Sequence, residues 1–209
     1  MIEAPGWYGK LPGMGDFAHR RIPETLRAAW DRWLQNGLSR LRVRHADWTA
    51  RYLEAPIWCF VLGNDVIGAK CWIGVVMPSV DGVGRYFPFT VVSELVAPPT
   101  ELQGHALTYV RQWWAWAMQA ALDGLNHDLD ANSFESRLHE LFSGDEALQD
   151  DFEAPPLALP DPGQSLWFTD PTGKGGLGMA SSGLPQDEQF EVLFGFGGDV
   201  PSGPGKEPS

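Results

Sequence analysis

The sequence lacks most of the short signatures that mark a small enzyme. There is no GxxxxGK[ST] phosphate loop, no HExxH, no GxSxG and no CxxC. Cysteine is scarce: Cys59 and Cys71 both sit in apolar runs with no histidine nearby, which predicts buried thiols rather than a zinc site. The five histidines, at 19, 45, 105, 127 and 139, are scattered, and no cofactor or metal is expected. The acidic group Asp145, Glu146, Asp150, Asp151 and Glu153 lacks the spacing of a calcium loop and reads as a solvated face. No apolar run approaches the ~20 residues that a bilayer-spanning helix needs. The opening MIEAPGWYGK has neither the basic nor the apolar region of a signal peptide, so a cytoplasmic location is expected. Positive charge is also short. Fifteen Lys and Arg face 27 Asp and Glu, and a net charge of −12 argues against nucleic acid or an anionic membrane as the main partner. The deficit is uneven: residues 1–52 carry nine basic and five acidic side chains, whereas 53–209 carry six and 22. The basic segment either pairs with acidic surface in its own fold or leaves a basic face to orient a protein partner.

What is present is an aromatic-rich chain of 209 residues with ten Trp and eleven Phe, enough for one large core. WYGKLP (7–12) reads as a strand and GMGDFA as a turn. Around and after Pro23, residues Ile22, Leu26, Ala29, Trp30, Trp33, Leu34, Leu38 and Leu41 recur at helical spacing, with Gly37 either admitting a close neighbour or marking a bend. A short helix near 46–53 stops before Pro56. IWCFVL (57–62) and KCWIGVVM (70–77) flank turn residues and predict a hairpin; FTVVSEL (89–95) follows as a third strand. Residues 101–125 form the strongest helix, apolar around Val110, with Asp123 assigned to its polar side. A helix near 133–142, N-capped by Ser133, precedes strands at 165–170, 177–180 and 189–196. Strands that are apolar at almost every position imply a sheet covered on both faces. The expected fold is therefore α+β, a three-layer α/β/α sandwich with a mixed, largely antiparallel central sheet. It forms one domain over 1–196, followed by a Gly/Pro-rich tail, 197–209, that cannot bury a core and should be disordered.

Between the second and third of these strands lies PSVDGVGRYFP (78–88). Three readings of it stand together. Ser79 and Asp81 can bond nearby amides in a turn, with Arg85 paired to Asp16 or Asp81. The loop can instead dock a partner, with Tyr86 and Phe87 as an aromatic anchor. Or Ser79, Asp81 and Arg85 can serve a small hydrolase or phosphoryl-handling enzyme, although no histidine is near to act as base.

GWYGKLPGMGDFAHRRIP (6–23), WDRWLQNGL (30–38) and MPSVDGVGRYFPFTV (77–91), in that order, resemble the TagF family of type VI secretion system-associated proteins. WTARYLEAPIWCFVL (48–62) is similar to the same pattern, while the sequence after about 144 matches only vaguely. The resemblance implies a cytoplasmic, non-enzymatic negative regulator that acts after translation by binding a forkhead-associated scaffold protein. It also implies that the two Gly-bearing loops sit side by side, gathering Lys10, Asp16, Asp81, Arg85, Tyr86 and Phe87 into one cluster that stiffens the fold or docks a partner. In some members the domain is fused to a serine/threonine phosphatase, whose metal-binding carboxylate motifs are absent from this sequence. A structural subunit of the secretion machine is a further alternative.

Overall fold

A computed structural model of the chain describes residues 4–96, 100–143 and 155–197. The acidic group at 145–153 and the expected disordered tail beyond Gly197 lie outside the described residues.

The chain opens with β1 (Gly6–Gly9) and β2 (Ala18–Arg20), then α1 (Glu24–Arg44) and α2 (Trp48–Glu54). Three strands follow, β3 (Trp58–Leu62), β4 (Trp72–Met77) and β5 (Phe89–Glu94), then the two-residue β6 (Glu101–Leu102). The long α3 (Gly104–Asn126) and α4 (Ala131–Phe142) precede β7 (Leu157–Ala158), β8 (Gln164–Phe168), β9 (Gly178–Ser182) and α5 (Asp187–Leu193). Seven strands make one sheet in the order β2-β1-β5-β4-β3-β8-β9, and β6 pairs with β7 separately. The β3–β4 hairpin closes at Leu62 opposite Trp72, and its connection uses left-handed backbone at Asp65 and Gly68.

Two apolar clusters flank the sheet, and strand alternation assigns residues to them. Cys59, Val61, Ile73, Val75, Phe89 and Val91 pack with α3 and α4 through Val110, Trp114, Ala117 and Phe134. Trp58, Phe60, Leu62, Trp72 and Val92 pack with the other helices through Trp30, Leu34, Leu38, Tyr52, Phe190 and Leu193. Two of the buried indoles are tied down as well as packed: Trp30 Nε1 donates to Thr90 Oγ1 at 2.9 Å, and Trp114 Nε1 donates to the Gly74 carbonyl at 3.2 Å. Of the positions read from the 3.6 period, Leu26, Trp30, Trp33, Leu34, Leu38 and Leu41 are the buried face of α1, whereas Ala29 is partly buried and Ile22 precedes the helix. Gly37 marks a close approach, since a Cβ there would lie 2.2 Å from the Phe190 ring.

Several expectations are corrected. Every strand pairing described is antiparallel, so the sheet is not mixed. QFEVLFGF is not a strand: its first five residues lie in α5, where Phe190, Leu193 and Phe194 at i, i+3 and i+4 are buried on one face. Asp130, not Ser133, caps α4, accepting from the Asn132 and Ser133 amides. Asp123 is buried, its carboxylate held by Arg137 Nε and Gln119 Nε2 at 2.7 Å each. Both cysteines are free and buried, and burial pushes the Cys59 thiol well above its ordinary pKa. Among the described residues no helix is long and apolar enough to cross a membrane, and no cluster of His, Cys, Asp or Glu could hold a metal ion.

Candidate functional site

The loop after β4 and the loop after β1 pack against each other. The reason is local chemistry in each. Gly82 donates its amide to the Met14 carbonyl at 3.1 Å, and a Cβ on Gly82 would lie 2.7 Å from the Pro12 carbonyl oxygen. The glycine therefore permits the contact. Met14 N bonds back to Leu11 O at 2.9 Å, which closes the first loop as a turn. The second loop closes on itself through Val80 bridging to Tyr86, with Gly84 at φ +80°.

Asp81 organises the junction. Its side chain has no solvent exposure, and it accepts from every side. One carboxylate oxygen takes the amides of Val83 at 3.1 Å and Arg85 at 2.9 Å. The other takes Lys10 Nζ at 2.9 Å and Arg85 Nε at 2.7 Å. Burial alone would raise the pKa of this carboxyl. The Arg85 amide, the Lys10 ammonium, the Val83 amide and the Arg85 guanidinium together outweigh it and hold the group well below the usual carboxylate range. Arg85 continues outward and donates Nη2 to the Gly15 carbonyl at 2.6 Å, while its side chain stays 53% exposed.

Ser79 is fully buried. Its hydroxyl donates to the Lys10 carbonyl at 2.7 Å, its amide donates to the Tyr52 hydroxyl at 3.0 Å, and that hydroxyl donates to the Ser79 carbonyl at 3.1 Å. These bonds stitch the loop to β1 and α2. They place no general base at the serine oxygen.

The sequence-predicted residues thus divide. Lys10, Asp81 and Arg85 come together as one ion cluster. Asp16 stands apart: it is exposed, and its carboxylate accepts from the next amide, Phe17 N, at 2.8 Å. Arg85 reaches the carbonyl one residue before it. Phe87 is buried, with its ring edge-on to those of Tyr8 and Phe17. Tyr86 is half-buried, edge-on to both Trp48 and Tyr52. Residues not singled out from the sequence complete the surface. Arg42 of α1 lies with its guanidinium 4.6 Å from the Trp48 ring centre and donates to the Tyr86 carbonyl at 3.4 Å. Phe17, 41% exposed, lies under Lys10 Nζ at 4.6 Å. Between them an open cleft of about 560 Å³ runs along α1 beside the loop. The recurrence of Gln35, Leu38, Ser39 and Arg42 at helical spacing was the available signal for this surface, but its aromatic platform comes from another element.

The TagF N-terminal domain, described as type VI secretion system-associated, matches residues 6–141 of the chain. The crystal structure of PA0076 from Pseudomonas aeruginosa PAO1, at 2.05 Å resolution, is similar throughout, with 28% identity and a TM-score of 0.71 over 97% of this chain and all of that one. Among curated proteins none matches. The loops just described, from β1 to the residues after β4, all fall inside the matched segment, and the chain belongs to the TagF N-terminal domain family of type VI secretion system-associated proteins.

Proposed function

We propose that the protein is a non-catalytic negative regulator of type VI secretion, acting after translation in the cytoplasm by binding and sequestering a forkhead-associated scaffold protein. The observation that carries this reading is membership in the family over residues 6–141. The chemistry of the loop agrees with it. Asp81 and Ser79 are engaged by fixed partners of the fold, whereas the hydrolase alternative needs one of them reactive and facing solvent. We also read the two apolar clusters as the inner surfaces of a three-layer α/β/α sandwich over residues 1–196, because each cluster joins the sheet to a different set of helices.

Titrating expression tests the mechanism. Sequestration removes one partner molecule per regulator, so repression should set in only as the protein approaches its partner's concentration. Transcript levels should stay constant throughout. Repression at trace amounts would point to a catalyst, and the absence of any effect of deletion or overproduction on secretion would refute the regulator.

A further inference from the structure

We propose that the cleft between α1 and the 80–87 loop docks an extended acidic segment of a partner protein, its carboxylates paired with Arg42 and Arg85 and an apolar side chain lodged against Phe17 and Trp48. This builds on the proposed function only in taking the partner to be a protein.

The argument begins with charge. The protein carries a net −12, yet among the described residues no carboxylate lines this cleft, whereas Lys10, Arg42 and Arg85 all do. Lys10 and Arg85 share one carboxylate, that of Asp81, so the cluster keeps an excess positive charge. Arg42 has no carboxylate partner among the described residues; it contacts the Trp48 ring and the Tyr86 carbonyl. The nearest other acid along α1, Asp31, is already engaged by the Tyr8 hydroxyl and by Gln35 Nε2. A local cationic surface on an acidic protein selects short, locally anionic ligands. Long polyanions such as nucleic acid or an anionic bilayer would meet the repulsion of the rest of the molecule.

Geometry supports the same occupant. Arg85 is fixed by Asp81 and by the Gly15 carbonyl, and Arg42 by stacking on Trp48, so little side-chain entropy remains to be lost on pairing. A planar guanidinium held in this way presents its free N–H edge to a carboxylate. The aromatic faces of Phe17 and Trp48, both partly accessible, supply the apolar half of the site. The cleft volume falls within the roughly 300–1,000 Å³ of ligand-binding clefts.

The test uses the full-length ¹⁵N-labelled protein and a 12-residue peptide in which Glu alternates with Leu and Phe. The Trp48 indole and Arg42 Nε–H signals should shift saturably, and more weakly as salt rises. Arg42→Ala should weaken binding about tenfold, the loss of one charge-assisted pair. Arg85→Ala should do likewise, while Arg40→Ala, which removes the same charge from an exposed pair with Asp187, should stay within about twofold. Arg42 forms no ion pair among the described residues, and thermal melts of Arg42→Ala beside wild type separate lost docking from the lost contacts with Trp48 and the Tyr86 carbonyl. No saturable shift at Trp48, equal binding of a Lys-for-Glu peptide, or an Arg40→Ala effect as large as that of Arg42→Ala would each overturn the proposal. So would binding that requires a phosphorylated peptide. The two readings fail separately: a cleft that ignores the peptide leaves the expression titration unaffected, and a chain that binds the peptide but never represses secretion loses only the regulator role.

Discussion

Replacing Asp81 with Asn keeps the shape of the side chain and removes its charge. The consequences follow from who surrounds it. Lys10 has a side chain only 6% exposed and loses its one carboxylate partner among the described residues, so a buried ammonium is left without a counter-charge there. Breaking such a pair from one side costs about 3–5 kcal/mol. The half-exposed Arg85 pairing adds little, about 0–1 kcal/mol, because solvent screens it. An asparagine oxygen still accepts one of the backbone amides. The expected loss at pH 7 is therefore about 3 kcal/mol, or roughly 6–12 °C in melting temperature for a chain of this length. The pH dependence carries the sign. The folded-state pKa of Asp81 lies below its unfolded value of about 3.9, so its stabilisation is complete above that pH and is lost as the pH falls through the lowered folded value. The difference between wild type and Asp81→Asn should accordingly be largest at neutral pH and shrink below about pH 4. Urea denaturation followed by tryptophan fluorescence at several pH values measures it. The double replacement Lys10→Met with Asp81→Asn should recover most of the loss, because no buried charge is left unpaired and the asparagine oxygen still accepts a backbone amide of the loop. A variant within about 1 kcal/mol of wild type at pH 7, or a difference independent of pH, would refute the view that this carboxylate is the keystone of the two loops.

Two further outcomes are expected. Gly37→Ala should destabilise the protein by about 1–3 kcal/mol, against the ~1 kcal/mol gain usual for this change in a helix, because its methyl would overlap the Phe190 ring; adding Phe190→Leu should reverse the sign, and thermal melts of both would show it. Ser79→Ala should lower stability by about 1 kcal/mol through the lost bond to the Lys10 carbonyl while leaving repression of secretion intact; loss of repression in a stably folded Ser79→Ala protein would revive a chemical role for the hydroxyl.

Which parts of this molecule could be read in advance depended on the range of the interaction that fixes them. The helical stripe from Leu26 to Leu41 and the apolar runs of β3, β4 and β5 are written in consecutive residues, and they appear where periodicity puts them. β2 has three residues, AHR, with no apolar alternation to betray it; it exists because β1 offers an edge. QFEVLFGF fits both a strand and one face of a helix, and tertiary packing of Phe190 against Trp33 and Gly37 decides for the helix. At the site, Asp81 and Arg85 lie four residues apart, so their pairing is local and legible. Asp16 is further along the chain than it looked useful: its own Phe17 amide satisfies it more readily than a guanidinium from another loop. Arg42 on Trp48 is not legible in the sequence, because the stack exists only once a helix and its neighbour are placed.

The two outer strands of the large sheet bear on how the protein behaves when crowded. β2 offers only three residues, among them exposed His19 and Arg20, and Arg21 directly after it adopts a left-handed backbone that no strand can continue. At the opposite border, β9 is GMASS, and Gln189 of α5 donates its side-chain amide to the Ala180 carbonyl. Neither border presents a long apolar ladder for a stranger to zip onto. For a chain with so much tryptophan and phenylalanine, the borders of its large sheet thus offer little backbone for a second copy to pair with.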